Sequence, residues 1–107
     1  MTQTSEARVT IRNKLGLHAR PAAQFVKLSA RFRSDVLVSR DDVEVNGKSI
    51  MGVMMLAAEF GAKIDIRAMG EDAEEAVREL AALVERGFDE DDEGRMIVRD
   101  GSPNGHG

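Results

Sequence analysis

In four short segments of this chain the apolar side chains fall on every second residue, and that alternation restricts what it can fold into. Ala7, Val9 and Ile11 are separated by Arg8 and Thr10; Val36 and Val38, then Val43 and Val45, follow the same rule; Ile64, Ile66 and Ala68 are separated by Asp65 and Arg67. Successive side chains of a strand point to opposite faces, so each segment reads as a strand buried on one side and wet on the other. A sheet of such strands has one apolar face. The helices of the chain must gather on that face, which antiparallel sheets tolerate.

The intervening segments supply those helices. After a polar turn at Asn13 to Gly16, residues Ala19 to Ala30 read as a helix with Ala22, Phe25, Val26 and Ser29 on one face, closed by Arg31 to Ser34. The Arg40-Asp41-Asp42 cluster joins the second and third strands as a hairpin. Asn46-Gly47 is a turn dipeptide, after which Ser49 can cap a short helix from Ile50 to about Met55; Gly52 inside it keeps that helix brief. Gly61 punctuates the chain before the strand Lys63 to Met69. In the last helix Asp72, Glu74 and Glu75 crowd the first turn and Ala73, Ala76, Val77, Leu80, Leu83 and Val84 form the stripe. Arg86 lies in its last turn and Gly87 ends it. The order is β-α-β-β-α-β-α and the fold class is α+β, a four-stranded antiparallel sheet covered on one side by three helices. A single domain over residues 1–88 is expected, followed at 89–107 by an acidic, Gly-rich, mobile tail that starts with five consecutive acids, Asp89 to Glu93.

Composition narrows the setting. The chain has 107 residues and no cysteine, its first thirty residues show no export signal, and its longest strongly apolar run, Val53 to Ala58, is too short to cross a bilayer. A cytoplasmic protein with no membrane insertion is expected. The net charge is −4, yet residues 1–33 carry seven Lys or Arg against the single acid Glu6, a balance of +6 that leaves −10 for the remainder. A basic surface near His18 would attract an acidic protein face or a phosphate.

Chemistry has few places to reside. With only His18 and His106 and no cysteine the usual zinc sets are missing, so no metal or other cofactor is expected. Gly47-Lys48-Ser49 lacks the earlier glycine of a nucleotide-binding loop. An RNA-recognition module shares the element order, but the chain has no Tyr or Trp and its strands offer no stacking aromatics, so no nucleic-acid partner is expected. The informative stretch is Gly16-Leu17-His18-Ala19-Arg20-Pro21. Pro21 belongs to the opening turn of a helix, which puts His18 at or beside the N-cap, ahead of the unpaired amides of Ala19 and Arg20. Those donors and the positive end of the helix would stabilise a phosphoryl group on the imidazole, and Arg20 could hydrogen-bond its oxygens. The residues alone leave a plainer reading open, an idle histidine at an exposed helix start.

The stretch Gly16-Leu17-His18-Ala19-Arg20-Pro21-Ala22 resembles the phosphorylation motif of HPr, the histidine phosphocarrier family of the bacterial phosphoenolpyruvate-dependent phosphotransferase system. Asn46 to Leu56 is similar to the family's regulatory serine site and the apolar contact patch after it, and the likeness extends over roughly residues 6–88. The resemblance implies an open-faced β-sandwich and a carrier, not a free-standing enzyme. His18 would be the phosphohistidine, Arg20 the residue that steadies the phosphoryl group, and Ser49 the target of an HPr kinase. The expected partners are an Enzyme I-like donor and Enzyme IIA-type acceptors, met by a monomer. Ile50, Met51, Val53, Met54, Met55 and Leu56 are too many for one buried stripe; core packing is expected to take most of them, with Ile50, Met51 and Met54 as candidates for the shared docking patch. Asn13 to Gly16 and Gly87 to Asp91 look closer to the nitrogen-related branch than to sugar-transport members, and the extension after Asp92 matches no family element. An alternative of another class is a regulatory binding module that grips partners through Met51 and Met54 while His18 is idle.

Overall fold

The computed structural model describes residues 3–97, so residues 98–107, including His106 and the Gly-Ser-Pro-Asn-Gly-His-Gly end of the expected tail, lie outside the described residues. The elements run β1 (Thr4–Thr10), α1 (Ala19–Ser29), β2 (Asp35–Arg40), β3 (Val43–Asn46), α2 (Ile50–Met55), β4 (Lys63–Met69) and α3 (Ala73–Glu85). The four strands form one antiparallel sheet in the order β1-β4-β2-β3. This is the α+β arrangement that the alternation requires. Pairing continues one residue past β1, where Ile11 N donates to Ala62 O at 2.8 Å and Ile11 O accepts from Gly61 N at 2.8 Å. Helix α1 stops at Ser29, with Ala30 as its cap.

Ile66 is the centre of the buried face. It is fully buried and lies opposite Ala7 on one side and Val38 on the other, while Ile64 faces Val9 and Ala68 faces Val36. Helix α3 covers β1 and β4 with Ala73, Ala76, Val77, Leu80, Leu83 and Val84, and α1 inserts Pro21, Ala22, Phe25 and Ser29 beside it. Helix α2 buries only Val53 and packs against α1 and β3. The opposite face of the sheet is wet and ionic: Arg8 grips Asp65 through Nε at 2.9 Å and Nη2 at 3.2 Å, and Arg67 reaches Glu44 at 3.2 Å. None of the four phenylalanines, the only aromatics, lies in a strand, so this face has no stacking platform for bases. No helix of the described residues is long and apolar enough to cross a membrane.

Asp72, at the N-cap of α3, does not cap its own helix. Its carboxylate accepts from Arg33 N at 2.9 Å, Ser34 N at 2.9 Å and the Ser34 hydroxyl at 2.5 Å, tying the α1–β2 connection to the β4–α3 connection. The chain also continues in contact beyond the boundary expected at residue 88. Phe88 is fully buried, and residues 89–97 return on themselves through Ile97 N to Asp89 O at 2.6 Å and Asp91 N to Arg95 O at 2.7 Å. Asp91 holds that return by accepting from Glu93 N at 2.9 Å and Arg95 N at 2.8 Å.

Two stability measurements follow from this architecture. Ile66→Ala removes the side chain that three strands share, and chemical denaturation is expected to show a loss of about 2–5 kcal/mol, the usual range for a buried large-to-small change. Asp72 is held at about 2, below its ordinary value of 3.8, first by the Ser34 hydroxyl and then by the Arg33 amide. Because the folded value lies below the unfolded one, the stabilisation from Asp72 is complete above the unfolded value and disappears as pH falls towards about 2. Urea midpoints of wild type and Asp72→Asn should therefore converge as the pH is lowered from neutrality towards 2.

Candidate functional site

The site is built from the loop between β1 and α1. Gly16, at φ +72°, lies so close to the chain after α2 that a Cβ there would stand 2.6 Å from Ala58 O. That approach lets Leu17 N donate to Ala58 O at 2.9 Å while the Leu17 side chain enters the core. His18 then takes an extended conformation, φ −75° and ψ −173°, and becomes the N-cap of α1, its carbonyl accepting from Ala22 N at 3.0 Å. The imidazole does not cap the helix. Ala19 and Arg20 are the first two helical residues, so their amides have no acceptor one turn back, and Pro21 at the third position has no N–H. The helix start therefore presents two peptide donors beside His18, as the sequence pattern implies.

Two features of the site are not in that pattern. The Glu90 side chain, wholly buried, places Oε2 2.9 Å and Oε1 3.2 Å from His18 Nε2. Asn13, also buried, holds the same carboxylate, donating from Nδ2 to Glu90 Oε1 at 2.9 Å and to Gly16 O at 2.8 Å. Arg20 Nη1 donates to Gly94 O at 2.9 Å. Gly94 is wedged in place: a Cβ there would lie 2.6 Å from Leu15 Cδ1 and 3.9 Å from His18 Nε2. Residues 90–94 thus lie directly on the histidine, whose side chain remains about one-third exposed at 34%. In the sequence Glu90 is one of five consecutive acids, and nothing in an irregular segment marks which of them turns inward. Asn13 reads as an ordinary turn residue.

Ser49 caps α2 as the sequence predicts, its Oγ accepting from Gly52 N at 3.1 Å. Nearby, Lys48 Nζ donates to Phe32 O at 2.8 Å. The expectation that the core takes most of the apolar residues after it needs correcting. Of residues 50–56 only Val53 and Leu56 are buried; Ile50, Met51, Met54 and Met55 are exposed, Met51 by 76%. A helix of six residues lying on a neighbour buries one narrow stripe, and these two positions, three apart, fill it. Leu15 and Phe60 are exposed as well, by 53% and 57%, and the sequence gives neither a role.

Comparison with known proteins agrees with this geometry. Residues 5–86 match the family model described as the PTS HPr component phosphorylation site. The chain is 49% identical over 80 residues to the HPr-like protein Crh of Bacillus subtilis strain 168, covering 75% of this chain and 94% of that one. It is 45% identical over 89 residues to phosphocarrier protein NPr of Proteus mirabilis strain HI4320, covering 82% and 99%. The crystal structure of HPr-C-His from Thermoanaerobacter tengcongensis superposes with a TM-score of 0.78 at 45% identity, covering 81% of this chain and 98% of that one. Sequence, fold and the run of residues around the histidine all lead to one place: this chain belongs to the HPr family, the phosphocarrier proteins of the phosphotransferase system.

Proposed function

We propose that His18 is the phosphoacceptor, taking a phosphoryl group from a phosphohistidine of an Enzyme I-type donor and passing it to an Enzyme IIA-type acceptor. The observation that carries this reading is the position of His18 at the N-cap of α1, beside the Ala19 and Arg20 amides. Phosphoryl transfer asks little covalent chemistry of a protein beyond the nucleophile; it asks for position and for donors where negative charge collects. Two peptide N–H groups and the positive end of α1 meet that need without a metal. Arg20 spends one of its five N–H donors on Gly94 O, which leaves others for the phosphoryl oxygens. Ile50, Met51 and Met54, exposed on the helix that packs against α1, form the surface on which successive partners dock. The carrier acts as a monomer in the cytoplasm.

Ser49 is the regulatory position, a substrate for an HPr kinase. Its hydroxyl already lies at a helix start, where a phosphate is tolerated, and the added charge of up to about −2 would fall beside the exposed Ile50 and Met51. Such a modification blocks docking without unfolding the chain.

Two experiments test these assignments. Incubation with phosphoenolpyruvate and a purified Enzyme I should add one acid-labile phosphoryl group to the intact mass. His18→Ala should remove it and Arg20→Ala should slow its formation by about a hundredfold, the usual loss for one donor to a developing anion; an adduct that survives His18→Ala would refute the assignment. Ser49→Asp should lower the rate of the same transfer and leave the thermal midpoint within a few degrees of wild type, whereas an unchanged rate would remove Ser49 from the docking surface.

A further inference from the structure

The buried Glu90 carboxylate lies outside the residues that match the family model, which end at 86, yet it touches the one side chain on which the proposed reaction depends. Resting on the reading of His18 as phosphoacceptor, we infer that Glu90 is a positioning residue for phosphoryl transfer: it holds the His18 ring with its Nε2–H directed at the carboxylate, and so leaves Nδ1 to attack phosphorus.

The donor count supports this assignment. A carboxylate only accepts hydrogen bonds, and Glu90 lies 2.9 Å from Nε2 and 2.9 Å from Asn13 Nδ2, so both nitrogens present N–H to it. With its proton on Nε2, a neutral imidazole carries its lone pair on Nδ1, which has no hydrogen-bond partner among the described residues. The arrangement is built, not incidental. Glu90 is wholly buried, Asn13 is buried beside it, Phe88 anchors the segment in the core two residues before, and Arg20 holds the segment again at Gly94 O four residues after.

The transfer step balances around this contact. The Nδ1 lone pair forms the new N–P bond as the bond from phosphorus to the donor's imidazole nitrogen breaks, and that electron pair returns to the donor ring. No proton leaves His18. Its ring, protonated at Nε2 and phosphorylated at Nδ1, carries a positive charge that the Glu90 carboxylate faces directly. The same contact therefore selects the nucleophilic nitrogen and offsets the charge that develops as the bond forms.

The test uses the full chain with Glu90→Gln and Glu90→Asp, read two ways. Nitrogen-15 NMR of the unphosphorylated ring should show the Nε2–H tautomer of His18 in wild type and a shift towards Nδ1–H in Glu90→Gln. Phosphoryl transfer from phosphorylated Enzyme I should fall by about 10- to 100-fold in Glu90→Gln, the range seen when the partner of a ligating histidine is removed, and Glu90→Asp should recover part of it. A tautomer ratio and rate within twofold of wild type in Glu90→Gln would overturn the proposal. A faster rate would overturn it too, since the segment would then merely cover the histidine. The His18→Ala chain in the same assay separates this failure from that of the underlying reading: if the adduct persists there, His18 is not the acceptor and the fault lies in the parent assignment.

Discussion

The clamp that fixes where α1 begins organises everything else at the site. Leu17 is drawn into the core and its amide bonds Ala58, an approach that only a glycine at position 16 permits because the backbone there is left-handed and nearly touches the opposite chain. With Leu17 buried, His18 is the first residue free to face outwards, and it does so at the point where helical amides lack acceptors. The same clamp joins the start of α1 to the chain that leaves α2. The histidine and the exposed Met51 and Met54 thus belong to two helices packed on one another, so that on the proposed reading a partner gripping the second would reach the first.

Charge along the chain gains a second meaning from the fold. The first third is basic, the run Asp89 to Glu93 is acidic, and the sequence suggests that the basic part meets external anions. In the structure part of that match is made internally: Glu90 meets His18, and Asp92 lies 3.8 Å from Lys14. The exposed Lys14 pair contributes little, since water and salt screen it. The Glu90 contact is different in kind because the carboxylate is out of water, and a buried acid without partners would oppose folding. Asn13 and His18 are those partners.

What the sequence reveals and what it hides divide along physical lines. The limits of β4 and α2 agree with the pattern and α1 ends one residue early, because periodic burial writes itself into periodic sequence; β1 instead starts at Thr4, three residues before the alternation that begins at Ala7, and ends at Thr10. The N-cap positions of His18 and Ser49 were legible for a related reason: a proline in the first turn, or a serine before a short apolar run, has a local cause. The exposure of Met54 agrees with the expectation from sequence, but that of Met55 beside buried Val53 and Leu56 depends on how a six-residue helix rolls on its neighbours, which no window of sequence encodes. Glu90 was hidden more completely. It lies 72 residues from His18 in an aperiodic acidic run, and only long-range packing singles it out from Asp89, Asp91, Asp92 and Glu93.

Phosphorus NMR on the isotope-labelled, phosphorylated chain addresses the central claim directly, because scalar coupling reports which atom carries the phosphoryl group. The expected result is one phosphorus resonance coupled to the ring protons of His18 and to no other residue. A phosphorus resonance with no coupling to that ring, or one coupled to a different side chain, would contradict the assignment of the α1 start as the carrier site.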